Sequence, residues 1–258
     1  MLIKQGSSYF ILIILDLCII CWSYRIMLSI VINNFFMGSK LEVCIDNLGG
    51  LEACIAGNAD RIELCSLLIK DGLTPTIELM EQASIISIPI RVMIRPKPGN
   101  FIFSSFDLKK MLNDIDTVKS FGFEGIVIGS TLASRELDKD VLKALINRAS
   151  GLRKTLHRAI DTIFNPVGAV ETAINLGFDC ILSSGGSKNA VDGLSTLKEM
   201  KKRASGRIEI MPGSGINPEN AQSISSAGFN WLHSSCSSNL RNNSITDINK
   251  IKNIKNAI

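Results

Sequence analysis

Residues 40–66, KLEVCIDNLGGLEACIAGNADRIELCS, read as strand, turn, helix, turn, strand. The first strand ends in Cys44 and the second in Cys65, and each cysteine follows a glutamate by two residues, Glu42 and Glu63. Side chains alternate faces along a strand, so Glu42 shares a face with Cys44, and Glu63 with Cys65. If the strands are parallel neighbours, two thiols and two carboxylates converge at one end.

The same unit recurs along the chain. Short apolar strands are expected at 90–94, 125–128, 154–156, 180–182, 208–211 and 231–233, each followed by a turn and a helical segment. Asp46 is a candidate cap for the first helix, Thr74 or Thr76 for the second, Ser104 or Ser105 for the third, and Asn165-Pro166 and Asn217-Pro218 open later ones. Strands apolar on both faces suit a parallel sheet covered by helices. About eight alternations in one domain predict a closed (β/α)8 TIM barrel. The rival, an open doubly wound sheet, predicts G-x-G-x-x-G in the first βα turn. That turn here is Asp46-Asn47-Leu48-Gly49-Gly50.

The chain has 258 residues, 46% hydrophobic and 20% charged, enough for one α/β domain with a sizeable core. A net charge of +4, without a basic stripe interleaved with aromatics, argues against nucleic acid as a partner. Seven cysteines without zinc-ligand spacing point to reduced thiols and a cytoplasmic setting. Residues 1–36 form an apolar extension and residues 37–258 the barrel. The extension reads as an appendage translated ahead of an alternative start at Met37, or as a signal or anchor: Lys4 precedes an apolar run, but no A-x-A-like cleavage site follows. It leaves membrane association or secretion open.

Functional groups of such barrels lie at the C-terminal strand ends. In order these ends supply Cys44 and Asp46, Glu63 and Cys65, Arg95, Gly129, His157 with Arg158 and Asp161, Ser183 and Ser184, Gly213, and His233. Two thiolates can suffice for soft monovalent copper, so Cys44 and Cys65 are candidate metal ligands, with Met93 expected one layer deeper. Simple core packing of the thiols is the alternative. Glu42, Glu63, Arg61 and Arg95 share inward parity: either a structural ion network, or an acid/base group with arginines holding an anionic substrate. His157, oriented by Asp161 or Glu63, is a candidate general acid/base. The glycine-rich turns Ser183-Ser184-Gly185-Gly186 and Pro212-Gly213-Ser214-Gly215 are candidate anion cradles or plain tight turns.

The stretches LEVCID, NADRIELC, DGLTPT, VMIRP, LHRAID, LSSGG, RIEIMPGSG and WLHSS resemble the CutC copper homeostasis proteins, a family of (β/α)8 barrels. The likeness runs from about Leu41 to Ser235. It implies a cytosolic, self-associating barrel that handles copper and binds Cu(I) at Cys44 and Cys65. It implies no established reaction. Glu42, Arg61, Glu63, Arg95, His157, Arg158, Asp161 and His233 then look like the lining of a site. IRPKPGN, MPGSG and WLHSSC depart from the family's more usual loops. Two functions follow as expectations. One is a copper homeostasis protein. The other is an enzyme on a small anionic or phosphorylated metabolite, with Glu63, His157 and Asp161 as acid/base groups and Arg61, Arg95, Arg158, Ser184, Gly185, Gly213 and His233 binding substrate.

Overall fold

A computed structural model describes residues 38–240 and 243–258. The expectations for residues 1–36 and for a start at Met37 lie outside the described residues. Eight parallel strands form one sheet: β1 Lys40–Ile45, β2 Arg61–Leu64, β3 Ile90–Met93, β4 Gly125–Ile128, β5 Arg153–Leu156, β6 Cys180–Ser183, β7 Glu209–Pro212 and β8 Trp231–Ser234. Their order is β7-β6-β5-β4-β3-β2-β1-β8, so the sheet curls round and the first strand pairs with the last. Asn230 Nδ2, just before β8, donates to Glu209 Oε2 of β7 at 3.0 Å, which brings the two edges together. This is the (β/α)8 barrel that the alternation predicts.

The helices are α1 Leu48–Gly57, α2 Ile77–Ser84, α3 Ser105–Ser120, α4 Lys139–Arg148, α5 Pro166–Leu176, α6 Leu194–Ala204, α7 Ala221–Ser225 and α8 Ile248–Ala257. Strand periodicity divides the core in two. On β1, Leu41, Val43 and Ile45 join the large cluster between sheet and helices. Residues of the other parity fill the barrel: Cys65, Met93 and Val127 form one group, and Cys180, Leu182 and Met211 another.

Local chemistry sets the helix ends. Asn47, not Asp46, caps α1, its Oδ1 accepting from Gly50 N at 2.9 Å. Asp46 Oδ2 instead accepts from Leu68 N at 2.9 Å and ties β1 to the turn after β2. Thr76 caps α2, Asn165 caps α5 ahead of Pro166, and Gly177 ends α5 with φ of 91°. Ser104 and Asp107 form a reciprocal capping box on α3. Ser104→Ala should therefore lose about 1 kcal/mol in urea unfolding. A loss below a few tenths would contradict the capping role.

Two helices begin only after side-chain turns. Asn189 Oδ1 accepts from Asp192 N, and Asn217 Oδ1 from Glu219 N and Asn220 N. These side-chain turns replace the first helical turn, delaying α6 and α7. The hairpin β9 Ser237–Leu240 with β10 Asn243–Thr246, between β8 and α8, is a further element without a clear sequence signal.

Candidate functional site

The C-terminal end of the barrel opens into a cavity of about 930 Å³, lined among others by Cys44, Glu63, Arg95, His157, Arg158 and His233. Its floor is a buried charge network. Glu42 is fully buried, accepts from Arg61 Nε, and pairs through Oε1 with His233 Nδ1 at 2.8 Å. Arg61 lies over the Trp231 ring, 3.8 Å from its centroid, and donates to Met211 Sδ at 3.4 Å. Burial works against the Glu42 carboxylate, but Arg61 and then His233 outweigh it and hold its pKa at about 2.

The strand register brings the reactive groups of β1, β2 and β8 together. Cys44 faces Glu63 across β1–β2, and Glu42 faces His233 across β1–β8. A Cys44 sulfur, a Glu63 oxygen and a His233 nitrogen consequently lie within 4.8 Å of one another, all buried. His233 Nε2 is 3.8 Å from Glu63 Oε2, and Glu63 Oε1 is buried without a hydrogen-bond partner. Burial pushes the Glu63 carboxyl and the Cys44 thiol up. Burial opposes the charged form of His233 too, but the Cys44 sulfur and the two carboxylates around it raise its pKa well above the usual value.

Cys65 stands outside this group. It is fully buried, packs with Met93 and Val127, and donates its thiol to Glu63 Oε2 at 3.4 Å. Continuing the register from Leu64↔Val92 places Met93 level with Cys65, not one layer deeper. Burial, reinforced by Glu63, pushes the Cys65 thiol far up.

Opposite this cluster stands His157. Its Nδ1 accepts from Ala159 N at 3.1 Å, so neither Asp161 nor Glu63 orients it. Its Nε2 is buried and unpartnered. Burial, then the nearby Arg95 guanidinium, depress its pKa to about 3. Asp161 is occupied elsewhere. It accepts from Ser183 Oγ at 2.5 Å, from the backbone of Ser184 and Gly186, and from Arg158 Nε at 3.0 Å, and so fastens the loop after β6.

Several expected anion holders are also committed within the chain. Arg95 Nη1 donates to the carbonyls of Lys70, Asp71 and Gly72, and Nη2 to Gly99 O at 2.8 Å. The guanidinium thus clasps the loops after β2 and β3. Gly185 N donates to Ser183 Oγ, and Gly213 N to Ser183 O. Ser184 N and Oγ both serve Asp161. Phe101 is a lining residue that strand-end reading passes over: it sits in a loop, 4.8 Å from the His157 ring and 4.8 Å from the Arg95 guanidinium.

Fold and site together define a parallel (β/α)8-barrel protein whose C-terminal mouth carries a thiol–carboxylate–imidazole cluster able to hold a metal. Known proteins narrow this class. The CutC family model matches residues 39–238. A family protein CutC of Rhizobium meliloti (strain 1021) is 45% identical over 200 residues, covering 77% of this chain and 82% of its own. One of Caulobacter vibrioides (strain NA1000 / CB15N) is 44% identical over 196 residues, covering 76% and 80%. A crystal structure from Streptococcus agalactiae, described as a candidate copper homeostasis protein CutC, superposes with a TM-score of 0.73 at 29% identity, covering 76% of this chain and 98% of its own. The chain belongs to the CutC family. Among the described residues, no helix is long and apolar enough to cross a membrane.

Proposed function

We propose that this protein takes part in copper homeostasis by binding Cu(I) at the barrel mouth, through Cys44 and His233, with Glu63 beside them. The observation that carries this reading is the buried grouping of Cys44, Glu63 and His233. The donor set fits a soft ion: a thiolate and an imidazole are donors that Cu(I) accepts, and low coordination suits it. Glu42 holds His233 by Nδ1, leaving Nε2 for a metal, in the manner of a carboxylate that fixes a ligating histidine. Glu63 Oε2, 3.8 Å from that nitrogen, adds a carboxylate oxygen beside it. This ligand set differs in one member from the pair of thiols expected from the sequence; Cys65 lies against Glu63, packed with Met93 and Val127.

Anaerobic Cu(I) titration against a colorimetric chelator tests this. Cys44→Ser should weaken binding by more than the roughly 10–100-fold that loss of an outer-shell partner costs. Cys65→Ser should change it little. An equal loss in both variants would restore the two-thiol site, and no loss in either would overturn the mouth as the copper site. Binding should also tighten as pH rises, because copper must displace protons from Cys44 and His233.

A second reading, an enzyme on a small anionic metabolite, is favoured by the size of the mouth. About 930 Å³ is space for an organic molecule, far beyond the needs of one ion. Here Glu63 and His157 face the ligand, and Arg158 at the rim supplies positive charge. A thermal-shift screen of small phosphorylated and carboxylated metabolites tests it: a stabilising ligand whose effect fades in Arg158→Ala supports it, and no stabilisation across the set counts against it.

A further inference from the structure

We propose that His157 is a fixed hydrogen-bond donor, presenting Nε2–H into the mouth to an oxygen of a carboxylate or phosphate ligand. This deepens the second reading and rests on it. It also differs from the general-base role expected from the sequence.

The ring nitrogens decide the matter. Ala159 N–H donates to Nδ1 at 3.1 Å, which requires a lone pair on Nδ1. A neutral ring then carries its proton on Nε2. That N–H is buried in a residue only 3% exposed, meets no acceptor, and belongs to a side chain that lines the mouth cavity. A buried donor left unmade is costly, and an acceptor from a ligand would relieve it. The ring stays neutral because it is out of water and beside the Arg95 guanidinium.

The ring is also built in place. Gly129 at the end of β4 leaves the space the imidazole occupies: a Cβ there would collide with His157 Cε1 and Nδ1. Phe101 covers the ring at a centroid distance of 4.8 Å with a 42° tilt. The donor is therefore held in direction before any ligand arrives, which is the arrangement that stabilises charge on an oxygen. The Arg95 guanidinium next to His157 adds positive charge on this side of the mouth, which favours an anionic oxygen over a neutral one.

The test starts with the intact protein. Its two histidines can be told apart in a long-range 1H–15N spectrum. At neutral pH His157 should show the neutral Nε2–H form, and titration with oxalate, phosphoglycolate or inorganic phosphate should shift the Nε2 proton. His157→Phe should weaken binding of the responding probe about tenfold or more, whereas His157→Gln, which keeps an N–H donor, should retain most of it. An Nδ1–H ring, silence with all three probes, or equal affinity in His157→Phe would overturn the proposal. None of these readouts uses turnover, so failure of the enzyme reading shows separately, as bound probe without any reaction of that ligand class.

Discussion

Arg61→Met should destabilise the barrel by about 3–5 kcal/mol in guanidinium unfolding at neutral pH. Glu42 is fully buried, and Arg61 is its strongest partner. Methionine fills much of the space of the arginine stem but leaves a carboxylate deep in the barrel hydrogen-bonded to His233 alone, with Arg91 a weaker, more distant influence. The loss also removes the guanidinium from the face of Trp231, a smaller effect. The double variant Arg61→Met, Glu42→Gln should recover at least half of the deficit, because the uncompensated charge, not the missing contact, carries most of the cost. A single-variant loss under about 1 kcal/mol, or no recovery in the pair, would mean that the network is not holding the floor of the mouth.

The second large effect is a slope with pH. An unfolded histidine titrates near its ordinary value of about 6.5, whereas folded His157 is held down to about 3 by burial and Arg95. Below pH 6.5 the unfolded chain therefore takes up a proton that the folded chain refuses, and stability falls with pH. Between pH 6.5 and 5 His157 alone should cost about 1.5–2 kcal/mol. Other groups act differently. His233, raised in the folded state, contributes stability that is present below pH 6.5 and fades only as pH rises through its folded pKa. Glu42, depressed to about 2, begins to cost stability only near and below pH 4.5. Glu63, raised, adds stability as pH falls through its folded pKa. The informative quantity is the difference between wild type and His157→Gln over that window. Parallel curves would contradict a neutral, buried imidazole.

The fold was largely legible because its signals are local. Short strands, asparagine and serine caps and glycine stops all lie within a few residues of the elements they bound. Parity within a strand was legible too: Glu42 with Cys44, and Glu63 with Cys65, do share faces. Height across the barrel was not. The register pairs Cys44 with Glu63, so Cys65 lies a step further along, beside Met93, and the buried three-ligand group takes in Cys44, Glu63 and His233. His233 joins Cys44 only because β8 closes against β1, a contact 191 residues apart between Glu42 and His233. The roles of Arg95 and Asp161 depended on loop conformation. Both follow their strands as expected, yet Arg95 donates to loop carbonyls, and Asp161 accepts from backbone and side-chain groups of the loop after β6 and from Arg158, partners that no spacing rule identifies.

The two proposed readings draw on different sides of one mouth. The β8–β1–β2 side offers soft and acidic donors, while the β4–β5 side offers a fixed N–H beside positive charge. Copper at Cys44 and His233 and an oxyanion at His157 would lie on different sides of one cavity, with Glu63 facing both. The account of copper stands on a mixed ligand set, and copper K-edge X-ray absorption of the anaerobically loaded protein tests it most directly. The predicted first shell holds sulfur from Cys44 together with nitrogen from His233, and the nitrogen is lost in His233→Ala. A shell of two sulfurs without nitrogen, unchanged in His233→Ala, would contradict it.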